Sequence, residues 1–226
     1  WDTYMWVVAH PDDAEFSSAG TIARLTASGK KVVIVQVTSG DKGTPDSSIA
    51  GDALANGREV EERNAADVLG VAEVVYLRCT DGELVPDLSL REKIVRQIRA
   101  FKPDVVVSHD PYRPYALHPD HRACGFAAID AVYPTARDPH YFPQHMEDGL
   151  EPHKTAEIWF FNAEQPDLVV DITETFDTKI ASLREHGSQV GDGIEMAKRV
   201  RERNAEIAAG QDFELAEAYK VVEMRR

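Results

Sequence analysis

The 226-residue sequence predicts an α/β fold: one doubly wound, mostly parallel sheet with helices on both faces, in a single domain spanning residues 1–226. Three observations predict it. Short Val-rich runs recur, each bounded by a breaker or a polar cluster, as buried strands require. Segments with helical apolar spacing separate these runs, and strand–helix alternation argues for βαβ units with right-handed crossovers. No repeat, low-complexity tract or linker interrupts the pattern.

The first run, Trp6-Val7-Val8-Ala9, stops at His10-Pro11-Asp12-Asp13-Ala14-Glu15. An amphipathic helix follows over 16–25 and ends near Gly29, a usual helix stop. Lys31 to Val37 is the second strand, and Thr38-Ser39-Gly40-Asp41-Lys42-Gly43-Thr44-Pro45 a polar loop of small residues. Gly57 to Leu69 has helical spacing with many charges, and Gly70 ends it. Glu73 to Leu77 is the third strand, Ser89 to about Phe101 a helix, and 104–108 the fourth strand, with Asp104 in the turn that starts it. The order is Rossmann-like. Farther on, Pro134 to Pro152 reads as a long loop, and a loop of that length is usually functional or mobile. It is expected to be a specificity lid or a plain surface loop. Strands are expected at 157–161, 168–172 and 217–222, and helices at 173–185 and 194–209.

Charge excludes several function classes. The formal net charge is −14, so the electrostatic footprint of a nucleic-acid binder is missing. An anionic membrane surface is disfavoured on the same ground, and no apolar run reaches the roughly 20 residues of a spanning helix. Cys79 and Cys124 are far apart in the chain and form no CxxC pair, which points to reduced thiols and a cytoplasmic compartment. Cys124 reads as a packing residue.

Two polar clusters carry the chemistry. The first is His10 to Glu15. The second follows strand four and contains His118-Pro119-Asp120-His121. Both lie at C-terminal ends of expected parallel strands, where open α/β sheets bind ligands. If strands one and four are neighbours, the clusters meet at the topological switch point. His10, Asp13 and one histidine of the second cluster then form a two-histidine, one-carboxylate site, the three-ligand plan of catalytic zinc. Ferrous iron or another divalent metal suits the same donors. Adjacent aspartates in a turn point in different directions, so Asp12 is free to act as a base beside the metal. The histidine of 118–121 left over from ligation can donate a proton or stabilise an oxyanion, with Asp120 to orient it. His109, His140, His145 and His153 are expected to be surface or loop histidines. The loop at 38–43 matches neither a P-loop nor GxGxxG, which disfavours a nucleotide-binding module.

With both clusters in hand, the chain resembles the LmbE-like, or PIG-L, family of metal-dependent de-N-acetylases. The signatures are Ala9-His10-Pro11-Asp12-Asp13-Ala14-Glu15 and His118-Pro119-Asp120-His121-Arg122-Ala123. Thr38 to Gly43, Arg58 to Glu61 running to Leu69-Gly70-Val71, Asp81-Gly82, Val170 to Thr173, and Lys179 through His186-Gly187-Ser188-Gln189 add to it. The resemblance implies zinc held by His10, Asp13 and His121, with Asp12 as general base and His118 stabilising or protonating the tetrahedral intermediate. It implies a small amino-sugar substrate losing its acetyl group, with Arg58 and Asp81 contacting sugar hydroxyls. An amidase acting on a larger thiol-sugar conjugate at the same site is the alternative. Thr44-Pro45 stands where a mycothiol-type enzyme is expected to carry an acidic residue. Tyr112, Arg113 and Tyr115 either line the substrate mouth or pack their loop. Homo-oligomerisation stays open.

Overall fold

A computed structural model describes residues 1–191 and 193–224. Its centre is a seven-stranded sheet of order β3-β2-β1-β4-β5-β7-β6. The strands are β1 Thr3–Val8, β2 Lys31–Thr38, β3 Glu73–Cys79, β4 Val105–His109, β5 Glu157–Phe161, β6 Leu168–Asp171 and β7 Ala216–Glu223. The first five are parallel, and β7 pairs antiparallel with both β5 and β6. β1 and β4 are neighbours, with Val7 opposite Ser108, so the order reverses at the strand that carries the first cluster.

The side-chain alternation of β1 divides the core. Met5 and Val7 point to one face with Val33, Val35 and Val106, where α3 (Leu88–Phe101) supplies Ile94 and Ile98, and α4 (Pro119–Asp130) supplies Cys124, Ala127 and Ala128. Tyr4, Trp6 and Val8 point to the other, covered by Ala19 and Ile22 of α1 (Asp13–Ala27) and Leu69 of α2 (Gly51–Leu69). Strands buried on both faces must be apolar throughout, which is why they read as Val runs without alternation. The short α5 (Gln144–Glu147) lies in the 134–152 segment. Beyond it, α6 (Phe176–Glu185) and α8 (Gly193–Ile207), with the short α7 (Gly187–Val190) between them, enclose a smaller cluster around Ile180, Leu183 and Val200.

The 134–152 segment is not a lid over the ligand-binding edge. It folds against the C-terminal half of α3, beside the starts of β4 and β5. Arg99 is buried there, and its guanidinium donates to the carbonyls of Thr135, Ala136, Asp138, Tyr141 and Phe142. His153 bonds the carbonyl of Pro103, and Arg96 pairs with Asp148. A loop without its own ladder must satisfy its carbonyls elsewhere, and here one side chain collects five. His145, expected at the surface, is fully buried and faces Glu92 at 3.2 Å. Asp104 accepts from the backbone of Asp2 and Thr3 and so anchors the start of β1. Among the described residues no helix is long and apolar enough to cross a membrane.

Candidate metal centre

The C-terminal ends of β1, β2, β3 and β4 and the start of α4 converge on one cluster. Thr38 locks the first two ends together by donating both its amide and its hydroxyl to the carbonyl of Ala9. The chain then turns sharply: Asp12 sits at φ 95°, in the left-handed region, and Asp13 begins α1. A carboxylate in the first turn of a helix is electrostatically favoured, and Asp13 Oδ2 also accepts from the His10 amide at 2.7 Å.

His10, Asp13 and His121 lie together, with Asp13 turning a different carboxylate oxygen to each histidine. His10 Nδ1 is 3.3 Å from His121 Nε2 and 3.4 Å from Asp13 Oδ2, and His121 Nε2 is 3.2 Å from Asp13 Oδ1. A tetrahedron with metal–ligand bonds of about 2.0–2.1 Å has edges of about 3.3–3.4 Å, the length of each pairwise approach; His10, His118 and His121, and Asp13, His109 and His121, also bring donor atoms within 4.8 Å of one another. The other face of His10 agrees. Its Nε2 lies 3.1 Å from Asp81 Oδ1 and 3.2 Å from Asp120 Oδ2. Carboxylates there fix the proton on Nε2 and leave Nδ1 free to ligate.

Asp81 and Asp120 therefore differ from expectation. Asp81 faces His10 and accepts from the Lys42 amide, rather than standing open to a sugar. The Asp120 carboxylate turns away from the histidines of its own motif. It accepts from the amides of Gly82 and Leu84 and reaches His10, thereby tying β3's loop to the centre.

Arg58 is also differently placed. It is buried and donates to the carbonyls of Pro11 and Gly40, with Asp12 Oδ2 at 3.5 Å. Its guanidinium braces the aspartate turn from beneath. Gly40 makes room for it: a Cβ there would lie 2.1 Å from Arg58 Nη1.

His109 is a site residue that the sequence reading misassigned to the surface. It is the last residue of β4, buried, and stacked on His121 with ring centres 4.2 Å apart. Its Nε2 accepts from the Ala9 amide at 3.2 Å, so its lone pair is committed although Asp13 is only 3.3 Å away. With Asp13 and His121 it forms one of the donor groups that could hold a metal ion. Gly125 permits this packing, because a Cβ there would lie 2.6 Å from the His109 carbonyl. The strand signal that ran to Ser108 simply extends one residue farther.

His118 is exposed at the mouth and caps α4. Its Nδ1 accepts from the Asp120 amide at 3.3 Å, which leaves Nε2–H as a free donor. Its ring centre is 4.6 Å from those of His10 and His121. Partial burial and the neighbouring histidine charges lower its pKa.

The electrostatics follow the same division. Burial opposes charge on His10, but Asp13 and Asp81 outweigh it and hold its pKa at about 10. Burial also works against the Asp13 anion, yet His109, His10 and His121 keep it well below the carboxylate range. Asp12 is raised to about 7 by burial and by the Asp13 charge, with Arg58 and His186 pulling the other way. Beneath it lies a second group that the sequence reading did not assign: Glu15, Glu62 and His186, all fully buried. His186 Nε2 is 3.4 Å from Glu15, and Glu62 accepts from the Asp12 amide at 3.4 Å. Glu15 and His186 both stand in stretches that carry the resemblance, but only the fold shows that they meet.

Comparison with known proteins agrees with this architecture. Residues 5–132 match the PIG-L family, described as GlcNAc-PI de-N-acetylase. The diacetylchitobiose deacetylase of Thermococcus kodakarensis is 37% identical over 185 residues, covering 82% of this chain and 69% of the relative. A 1D-myo-inositol 2-acetamido-2-deoxy-alpha-D-glucopyranoside deacetylase of Saccharopolyspora erythraea is 31% identical, covering 81% and 76%. The structure of the Pyrococcus horikoshii N,N'-diacetylchitobiose deacetylase superposes with a TM-score of 0.93 at 31% identity, over 98% of this chain and 84% of that one. The chain belongs to the PIG-L family.

Proposed function

We propose that this PIG-L family enzyme hydrolyses the acetamide of an N-acetylglucosamine unit in a small glycoside, at a zinc centre held by His10, Asp13 and His121. The observation that carries this reading is the approach of His10 Nδ1, His121 Nε2 and the Asp13 carboxylate to within 3.2–3.4 Å, with Asp13 presenting Oδ2 to His10 and Oδ1 to His121, beside an aspartate and a histidine that are not part of it. Relatives named as deacetylases of acetylated glucosamine compounds support the reaction class. Metal dependence is typical of the family, and zinc is the member of the divalent series that best suits three such donors in a tetrahedron.

When bound, the metal supplies Lewis acidity toward the amide carbonyl and toward water. The remaining steps belong to the chain. Asp12, held by the turn at Pro11 and by Arg58, accepts a proton from the attacking water. The water oxygen adds to the carbonyl carbon. His118 Nε2–H donates to the developing oxyanion, an arrangement that the Asp120 amide at Nδ1 maintains. The C–N bond then breaks, a proton passes from Asp12 or His118 to the departing nitrogen, and acetate and a free amino sugar leave. Asp81 and Asp120 orient His10 throughout.

The test is acetate release from a panel of N-acetylglucosaminides by metal-loaded protein, before and after chelation. Release that stops with chelator and returns with zinc is the expected result. Preferential release of a larger acyl group from a thiol-sugar conjugate would instead identify the amidase, and chelator-insensitive release would remove the metal from the reading.

A further inference from the structure

Three fully buried side chains meet beneath the Asp12 turn with most of their polar atoms unpartnered. Glu15 comes from the first turn of α1, Glu62 from α2, and His186 from the residue that ends α6. His186 Nε2 faces both carboxylates, 3.4 Å from Glu15 Oε2 and 3.9 Å from Glu62 Oε2. Neither approach has the geometry of a hydrogen bond. Both oxygens of Glu15, Oε1 of Glu62 and both ring nitrogens of His186 are buried without a hydrogen-bond partner. Glu62 Oε2 alone is engaged, by the Asp12 amide at 3.4 Å.

Other buried carboxylates of the chain are satisfied. Asp120 takes the amides of Gly82 and Leu84. Glu217 takes the amides of Gly20 and Thr21 and the ammonium of Lys179. Glu59 takes the Ser39 hydroxyl and the Arg78 guanidinium. Among the described residues, Glu15 and Glu62 pair with no lysine or arginine, only with His186. Two buried basic residues on the surrounding helices are committed elsewhere: Lys179 of α6 to Glu217 and the Phe16 carbonyl, and Arg58 of α2 to the carbonyls of Pro11 and Gly40. Buried carboxylates side by side without a cation oppose each other, and burial with the charge of Glu15 pushes the Glu62 carboxyl well above its usual range.

The donor set suits a metal. One donor atom of each residue lies within 4.8 Å of the other two. Two ligands of one ion with bonds of about 2.0–2.2 Å stand at most about 4.3 Å apart, and both measured approaches of His186 fall inside that span. An imidazole with two carboxylates selects a divalent transition metal such as zinc, iron or manganese over calcium or magnesium, which take oxygen ligands. Such an ion balances both carboxylates.

We propose that Glu15, Glu62 and His186 hold a second divalent transition-metal ion, distinct from the one at His10, Asp13 and His121. It joins α1, α2 and α6 directly under the turn that carries Asp12, so its role is structural. The competing arrangement is a proton shared among the same three groups, and metal content separates the two.

The experiment counts metal per chain by elemental analysis of the full protein, loaded with Zn²⁺ or with Mn²⁺ and freed of excess by gel filtration. The unaltered protein is expected to carry two equivalents, and H121A and E62Q/H186N one each. Glu62→Gln keeps an acceptor for the Asp12 amide. The equivalent left in H121A should resist a chelator under native conditions and leave on unfolding. A single equivalent in the unaltered protein, lost in H121A, overturns the proposal in favour of the shared proton. Two equivalents in E62Q/H186N place the second ion elsewhere and overturn it as well. Should E62Q/H186N not fold, crystals of H121A decide: an anomalous scattering peak at the absorption edge of the loaded metal is expected among Glu15, Glu62 and His186, and its absence overturns the proposal. Turnover enters none of these measurements. If no sugar releases acetate but H121A keeps its metal, the reaction is wrong and the second site stands.

Discussion

The two edges of the sheet hold their buried charges for different ends. At the N-terminal edge, Arg99 is surrounded by five carbonyls that it satisfies, and the cavity nearby, of about 600 Å³, is lined by Trp1, Asp104, Tyr133 and Lys154. It is larger than the cavity of about 410 Å³ beside Ser39 and Thr80 at the other edge, yet among the described residues it gathers no set of metal-binding donors. At the C-terminal edge, four histidines and four aspartates crowd together, with the fully buried Glu15, Glu62 and His186 beneath them. A complete hydrogen-bond set around one ion builds structure. Several partly satisfied titratable groups around one point hold something else, and size alone is a poor guide to which edge is the site.

The comparison breaks most decisively at the ligands. His121→Ala should remove one equivalent of metal and with it activity, while the fold persists. An unchanged zinc content in the purified variant, by elemental analysis, would show that His121 is no ligand. Next, Asp12→Asn should retain metal and lose about 10²- to 10⁴-fold in kcat, the range for removing a general base. Normal acetate release would assign the base elsewhere. Asp120→Asn comes third. It weakens the carboxylate hold on His10 and should cost about 10- to 100-fold in metal affinity, read by competition with a chelator. An unchanged affinity would leave Asp81 as the sole orienting group.

The smallest effect on chemistry belongs to the opposite edge. Arg99→Met strips the partner from five carbonyls and should destabilise the chain by about 3 kcal/mol or more, since hydrogen bonds to charged groups are worth about 1.5–3 kcal/mol each. Denaturant unfolding measures that loss, and kcat of the folded fraction should stay unchanged. A fall in kcat matching that of the Asp120 variant would mean that the two edges are coupled.

Much of this was legible in the residues. The Val runs, their breakers and the two His/Asp motifs determined the parallel sheet and put both motifs at its C-terminal edge, where they meet if β1 and β4 are neighbours; it was the family resemblance that singled out His121. Strand periodicity and local turn chemistry carry that information. The meeting itself follows from a topological rule, because parallel strands deliver their C-terminal ends to one edge. What the tertiary structure alone decided are the partners. Arg58 lies under the aspartate turn, Asp81 and Asp120 grip the far side of His10, and His109 backs the site with its lone pair committed. The 134–152 segment went to the opposite edge, held by Arg99. Each of these is a contact between residues distant in sequence, set by which donors and acceptors the packed chain leaves unsatisfied, and no local pattern encodes that.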